Sequence, residues 1–189
     1  MPTNIAIFAS GSGSNAENIC SFFQNSHDIN VVLICSNNKN AFVLKRAKNL
    51  GVDAVFFTKA QLISFSFLEK TLTNFNVNFI VLAGFLLKIP QKMINKYPNK
   101  IINIHPALLP KYGGKGMYGE NIHRAVIENK DKESGVTIHY VNQNYDEGEI
   151  IFNAKCEVTK TDTPESLAIK IQALEYTCFP KIIELVIKK

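Results

Sequence analysis

The sequence predicts an α/β protein: an open, mostly parallel sheet flanked by helices, with an antiparallel strand pair near the C-terminal part and a long C-terminal helix. Three observations carry this. Short runs of Ile, Val, Leu and Phe recur through the first hundred residues without polar alternation, as strands covered on both faces do. Stretches with helical apolar spacing separate them, and parallel strands need such crossovers. From Gly135 the pattern changes to apolar–polar alternation, the mark of an antiparallel addition at a sheet's edge or end.

The elements follow in order. Asn4–Ala9 reads as a strand, and Ser14 to about Gln24 as a helix with Ile19, Phe22 and Phe23 on one face. Asn30–Cys35 is a second strand. Ala41–Leu50 is a helix, with Gly51 placed as its C-terminal stop. Ala54–Phe57 is a third strand. A helix follows within Gln61–Phe75, with Leu62, Phe65, Leu68 and Leu72 three to four apart. Phe79–Leu82 and Ile101–Ile104 are the fourth and fifth strands. Gly135–Val141 and Gly148–Cys156 form the antiparallel pair. Thr163 and Pro164 open a final helix as N-cap and first-turn proline. Leu167, Ile171, Leu174 and Cys178 make its buried stripe, and Pro180 should kink or restart it. The layout is Rossmann-like.

Composition bounds the reading. At 189 residues the chain fits one domain, with residues of about 1–100 as a phosphate-binding half and about 101–189 as a catalytic half. An apolar fraction of 46% with 20% charged residues can build a core without disulfide or metal staples. Lys plus Arg exceeds Asp plus Glu by 21 − 16 = 5, a mild attraction to anions that does not call for nucleic acid. The longest strongly apolar run, Phe79–Leu87, has nine residues, against about 20 for a membrane span. No basic segment precedes the short apolar run Ile5–Ala9, so no signal peptide is expected. Cys20, Cys35, Cys156 and Cys178 form no Cys-x-x-Cys pair and read as reduced core cysteines of a cytoplasmic protein.

Three segments carry candidate chemistry. Gly11-Ser12-Gly13-Ser14-Asn15-Ala16 follows the first strand and opens the first helix. Glycines let the backbone approach an oxyanion, and a helix N-terminus offers N–H groups and a positive dipole end. A capped strand-to-helix turn has the same sequence. The second strand ends in Cys35-Ser36-Asn37-Asn38-Lys39, without the acid that a dinucleotide needs, so a single phosphate fits better than NAD. Asn103 and His105 lie two apart at a strand end and face the same way. An Asn amide can donate to a developing oxyanion, and a His can shuttle protons. Asn144-Tyr145-Asp146-Glu147-Gly148-Glu149 joins the last two strands. It is either a hairpin turn or the source of an acid for His105, and spacing leaves Asp146, Glu147 and Glu149 open.

Together these segments resemble the folate-dependent formyltransferase superfamily, in its glycinamide branch. The resemblance rests on Gly11-Ser12-Gly13-Ser14-Asn15, Val81-Leu82-Ala83-Gly84-Phe85, Asn103-Ile104-His105-Pro106-Ala107-Leu108-Leu109-Pro110-Lys111-Tyr112, His139-Tyr140-Val141 and Tyr145-Asp146-Glu147-Gly148, in the family's order over essentially the whole chain. It implies transfer of the formyl group of 10-formyltetrahydrofolate to the primary amine of glycinamide ribonucleotide in purine biosynthesis. It implies Asn103, His105 and Asp146 as the catalytic trio, selecting Asp146 among the acids, and Gly13, Ser14 and Asn15 as the phosphate site. It implies Gln172 and Glu175 at the ribonucleotide. Folate contacts would come from Phe85, Leu86, Leu87, Lys88, Ile89 and Asn103, and from Val141, Asn142, Gln143, Asn144, Tyr145 and Asp146. His123 and His139 also match family positions, His139 as support rather than catalyst. The partners implied are these two small molecules, with no nucleic acid, membrane or metal, acting in a monomer or homodimer.

The chain departs from that pattern twice. Leu87 and Lys88 follow Gly84-Phe85-Leu86 where many relatives carry Arg. Gly113–Gly119 holds four glycines in seven residues, a segment that suits a lid or a plain loop. Lys111 or Lys115 is expected to help bind an anion.

Methionyl-tRNA formyltransferase and formyltetrahydrofolate deformylase share the trio but carry an added domain, for which the chain from a first strand at residue 4 to Lys189 is expected to leave no room. An NAD(P)-dependent oxidoreductase would explain the glycine loop but not Asn103, His105 and Asp146, and a non-catalytic nucleotide-binding module would explain the fold and the basic charge and leave the Asn-x-His-Pro site idle.

Overall fold

A computed structural model describes residues 2–189, so Met1 lies outside the description. The chain divides into two compact units, one ending at Asn103 and one spanning Ile104–Lys189.

The first unit is an α/β layer. Its strands are β1 (Thr3–Phe8), β2 (Ile29–Ser36), β3 (Asp53–Phe56), β4 (Phe79–Leu82) and the start of β5 (Ile101–His105). They run parallel in the order β3-β2-β1-β4-β5. Ile5, Ala6, Ile7 and Phe8 are consecutive and fully buried, so β1 is covered on both faces as its unbroken apolar run predicts. The helices are α1 (Ser14–Phe23), α2 (Phe42–Leu50), α3 (Lys59–Ser64), α4 (Ser66–Asn74) and α5 (Gln91–Lys96). Gly51 ends α2 in a left-handed conformation, with its N–H on the carbonyls of Ala47 and Lys48.

Three expectations change here. β3 is exposed along most of its length and pairs on one side with β2, so it is not covered on both faces. Phe57, read as the strand's end, lies beyond it. Its buried ring packs 5.7 Å from Phe8 and 6.0 Å from Phe85. The single helix expected within Gln61–Phe75 is two. A capping box between Thr58 and Gln61 starts α3, and Phe65 ends it at φ 66. Burial of the Phe65 ring offsets that backbone strain. Helix α5 was not foreseen, since six residues show little periodicity.

The second unit holds the rest of β5, α6 (Glu120–Glu128), β6 (Glu133–Tyr140), β7 (Ile150–Glu157) and α7 (Pro164–Ile187). β6 and β7 pair antiparallel, as their alternation predicts. β6 is nonetheless buried continuously from Ser134 to His139. Its polar Thr137 is satisfied there, with Oγ1 donating to Ala107 O at 2.7 Å. The expected β7 residue Gly148 lies before the strand. Helix α6 was also missed, because Ile122, His123 and Val126 are its only buried positions. A capping box of Thr163 and Ser166 starts α7, with Pro164 in the first turn. The helix runs through Pro180 without restarting, and its buried stripe shifts to Leu167, Ile171, Phe179 and Ile183. Leu174 and Cys178 are half-buried. Packing on both sides of Pro180 offsets the one helical bond a proline removes.

Cys20 and Cys35 are buried, whereas Cys156 and Cys178 are half-buried, and none forms a disulfide. Burial pushes the Cys20 thiol up to about 12, with Glu17 adding to the shift, and it raises the other three. No helix of the described residues is long and apolar enough to cross a membrane.

Candidate active site

β1 has β2 on one side and β4 on the other, so the strand order reverses beside it. Ligands of open α/β sheets bind beyond the C-terminal strand ends at such a point. The segment there is Ser10–Asn15. Gly13 is the N-cap of α1 at φ 74. A Cβ on it would lie 2.2 Å from Val43 Cγ2, so no side chain fits. The loop is tied on both sides: Val43 N donates to Gly11 O at 3.1 Å, and Arg46 Nε to Ser12 O at 2.9 Å. Arg46 also pairs with Glu17. Ser14 and Asn15 open the helix, and the positive end of a helix dipole favours an anion at that position.

Ser10 joins three strand ends. Its hydroxyl donates to Asn37 Oδ1 at 2.6 Å and accepts from Leu86 N at 3.0 Å. Asn37 stands just beyond β2, where a dinucleotide site needs an acid, and its carbonyl oxygen is taken by Ser10. The folate candidates Phe85–Ile89 therefore start beside the glycine loop. Phe85 turns its ring inward, 5.5 Å from Phe8, which leaves its backbone for any ligand. Leu86 and Lys88 are exposed, Leu87 is half-buried and Ile89 is buried. Asn103 is half-buried, in register with Leu82.

In the second unit, His105 ends β5 at 4% exposure. Its Nε2 lies 2.8 Å from Tyr112 O and its Nδ1 3.6 Å from Asp146 Oδ2. Asp146 is in a left-handed conformation, φ 55, between β6 and β7. Gly114 N donates to its Oδ2 at 2.9 Å. Of the three acids that spacing left open, Asp146 is the one facing His105. Glu147 instead accepts from Asn144 Nδ2 at 2.7 Å, and Glu149 is exposed.

Asp146 has a second histidine on its other oxygen: His139 Nε2 lies 3.7 Å from Oδ1. His139 Nδ1 is 2.9 Å from Tyr140 O. A carbonyl only accepts, so Nδ1 carries the proton. Burial lowers the pKa of His139, against the smaller raising effects of the Tyr140 carbonyl and Asp146, while His105 lowers it further. His139 is thus neutral at pH 7. Burial likewise lowers the pKa of His123 on α6.

Asn142 and Asn144 brace their own loop, with Asn142 Nδ2 on Glu147 O at 3.0 Å and Asn144 N on Asn142 Oδ1 at 2.8 Å. Gln143 is exposed, and Val141 and Tyr145 are half-buried. Gln172 is exposed and Glu175 half-buried on α7, three apart and so on one face. Lys111 lies 3.2 Å from Asp131, and Lys115 is exposed. Ser10, Asn37, Gly114 and the Tyr112 carbonyl were not singled out from sequence. Their roles come from hydroxyl and backbone groups whose partners lie elsewhere in the chain.

Residues 3–183 match the formyl transferase family. The chain is 38% identical to the chloroplastic phosphoribosylglycinamide formyltransferase of Arabidopsis thaliana, over 95% of this chain and 63% of that protein. It is 30% identical to the phosphoribosylglycinamide formyltransferase of Escherichia coli, over 95% of this chain and 85% of that one. It therefore spans about three fifths of the length of the plant relative. The crystal structure of phosphoribosylglycinamide formyltransferase from Anaplasma phagocytophilum superposes with a TM-score of 0.91 at 32% identity, covering 100% of this chain and 88% of that one.

Proposed function

The chain belongs to the formyl transferase family, and from that premise we propose that it moves the formyl group of 10-formyltetrahydrofolate to the primary amine of glycinamide ribonucleotide. The observation that carries the reading is His105 at a strand end with the Asp146 carboxylate 3.6 Å from its Nδ1. The amine attacks the formyl carbon, a C–N bond forms and the carbonyl oxygen becomes an oxyanion. Asn103 donates to that oxyanion and His105 supports it. The Asp146 charge stabilises the proton on His105 while the amine is deprotonated. The intermediate collapses as the bond to folate N10 breaks, N10 takes up a proton, and formylglycinamide ribonucleotide and tetrahydrofolate leave. These steps run on proton transfer and hydrogen bonding and call for no metal.

Gly13, Ser14 and Asn15 hold the ribonucleotide phosphate, and Gln172 and Glu175 its other polar groups. Phe85–Ile89, with Asn103 and the loop 141–146, receive the folate. The two small molecules are the partners of one domain over residues 1–189, acting in the cytoplasm as a monomer or homodimer. A folate-absorbance assay with 10-formylfolate, with and without glycinamide ribonucleotide, tests this. Donor consumption that depends on the acceptor is expected. Consumption without it makes water the acceptor and overturns the reading.

A further inference from the structure

His105 is approached at both ring nitrogens. Tyr112 O lies 2.8 Å from Nε2, and Asp146 Oδ2 3.6 Å from Nδ1. Because a carbonyl oxygen only accepts, Nε2 carries the proton and Nδ1 is the nitrogen that gains or gives one. The position of one backbone carbonyl therefore decides which face of the imidazole is basic.

That carbonyl belongs to a residue in an adverse conformation. Tyr112 has φ 56 and is not glycine. Gly113, Gly114 and Gly116 follow it, so the chain on that side adds little stiffness. The side chain supplies the hold. The Tyr112 hydroxyl donates to Asp131 Oδ2 at 2.8 Å and accepts from Asn129 Nδ2 at 2.9 Å. Lys111 Nζ stands 3.2 Å from both oxygens of the same carboxylate. Asn129 and Asp131 are anchored in turn, their amides donating to Ala125 O at 3.0 Å and Val126 O at 3.2 Å at the end of α6.

We infer that Asn129, Asp131 and the Tyr112 phenol form a latch that places the Tyr112 carbonyl and so fixes the proton-exchanging nitrogen of His105. The inference rests on the role of His105 proposed above. The three are positioning residues and touch no reacting atom. With the latch open, the imidazole takes either neutral tautomer, and a form protonated on Nδ1 has no basic nitrogen toward Asp146.

The test is a nitrogen-15 spectrum of the whole protein labelled in histidine, at alkaline pH without substrate, with His105 assigned through His105→Gln. The wild-type protein shows His105 protonated on Nε2. Tyr112→Phe and Asp131→Leu shift it toward a mixture and lower kcat about tenfold with both KM values within about twofold, the size expected for one lost hydrogen bond. Asp131→Asn keeps an oxygen for the phenol and retains the wild-type spectrum and kcat. A wild-type His105 protonated on Nδ1, or an unchanged His105 spectrum in Tyr112→Phe and Asp131→Leu, overturns the latch. A spectrum that behaves as stated in a protein that transfers no formyl group overturns the proposed reaction and leaves the latch standing.

Discussion

The backbone of Gly13 packs against the side chain of Val43, so closely that an added Cβ would lie 2.2 Å from Cγ2 and 2.4 Å from Cβ of that residue. This contact presses the start of α1 onto α2 and shapes the loop after β1. Gly13→Ala meets both the clash and the left-handed φ of 74. It should cost about 2–4 kcal/mol in urea unfolding and raise KM for the ribonucleotide more than for the folate. Adding Val43→Ala should recover part of the stability. A Gly13→Ala protein as stable as the wild type would show that the loop yields freely.

Gly148 has a similar role near Asp146. A Cβ there would stand 1.6 Å from Tyr140 O, and that carbonyl fixes the His139 proton. Gly148→Ala must displace it. We expect a folded protein by circular dichroism with formyl transfer reduced at least about tenfold, since small misplacements at a site are costly. A wild-type rate would separate the Tyr140 carbonyl from catalysis.

Removing the Asp146 charge should affect rate more than fold. Asn keeps an oxygen for the Gly114 N–H but cannot stabilise a protonated His105. Asp146→Asn should lower kcat by about 10²–10⁴. Glu147→Gln should leave it near wild type, because Glu147 is exposed and turned to Asn144. Equal losses in both variants would count against the assignment.

Stability should fall on mild acidification. Burial depresses the pKa of His123 and His139 below the ordinary value of 6.5. Below that value the unfolded chain binds protons that the native fold refuses. Their contribution is complete above pH 6.5 and is lost as pH falls toward the depressed native pKa values. Urea midpoints measured downward from neutrality should decline, and less steeply in His123→Gln. A midpoint that rises on acidification would reverse the sign.

The N-terminus of α7 offers a simpler check. Thr163 Oγ1 accepts from Ser166 N at 3.2 Å, and Ser166 Oγ from Thr163 N at 3.0 Å. Thr163→Ala should cost about 1 kcal/mol in thermal unfolding. No change would mean that Pro164 and the buried stripe set the helix start alone.

The features legible in the amino-acid sequence were local. Unbroken apolar runs marked β1, β2, β4 and β5 as doubly covered parallel strands, and Gly51 and Thr163 marked helix ends by capping chemistry that acts within a few residues. Asn103 and His105 were legible as a pair on one strand because strand periodicity is exact over two residues. The remaining features depend on contacts between distant parts of the chain. Phe65 breaks a periodic helix in two because its ring is wanted in the core, and β3 is the end strand of the order and exposed at most positions. The acid that faces His105 depends on a left-handed Asp146 in a loop forty-one residues away in sequence, and the Tyr112 carbonyl depends on Asp131 nineteen residues downstream. Such choices follow from which long-range contacts close together, and local residue patterns do not encode those.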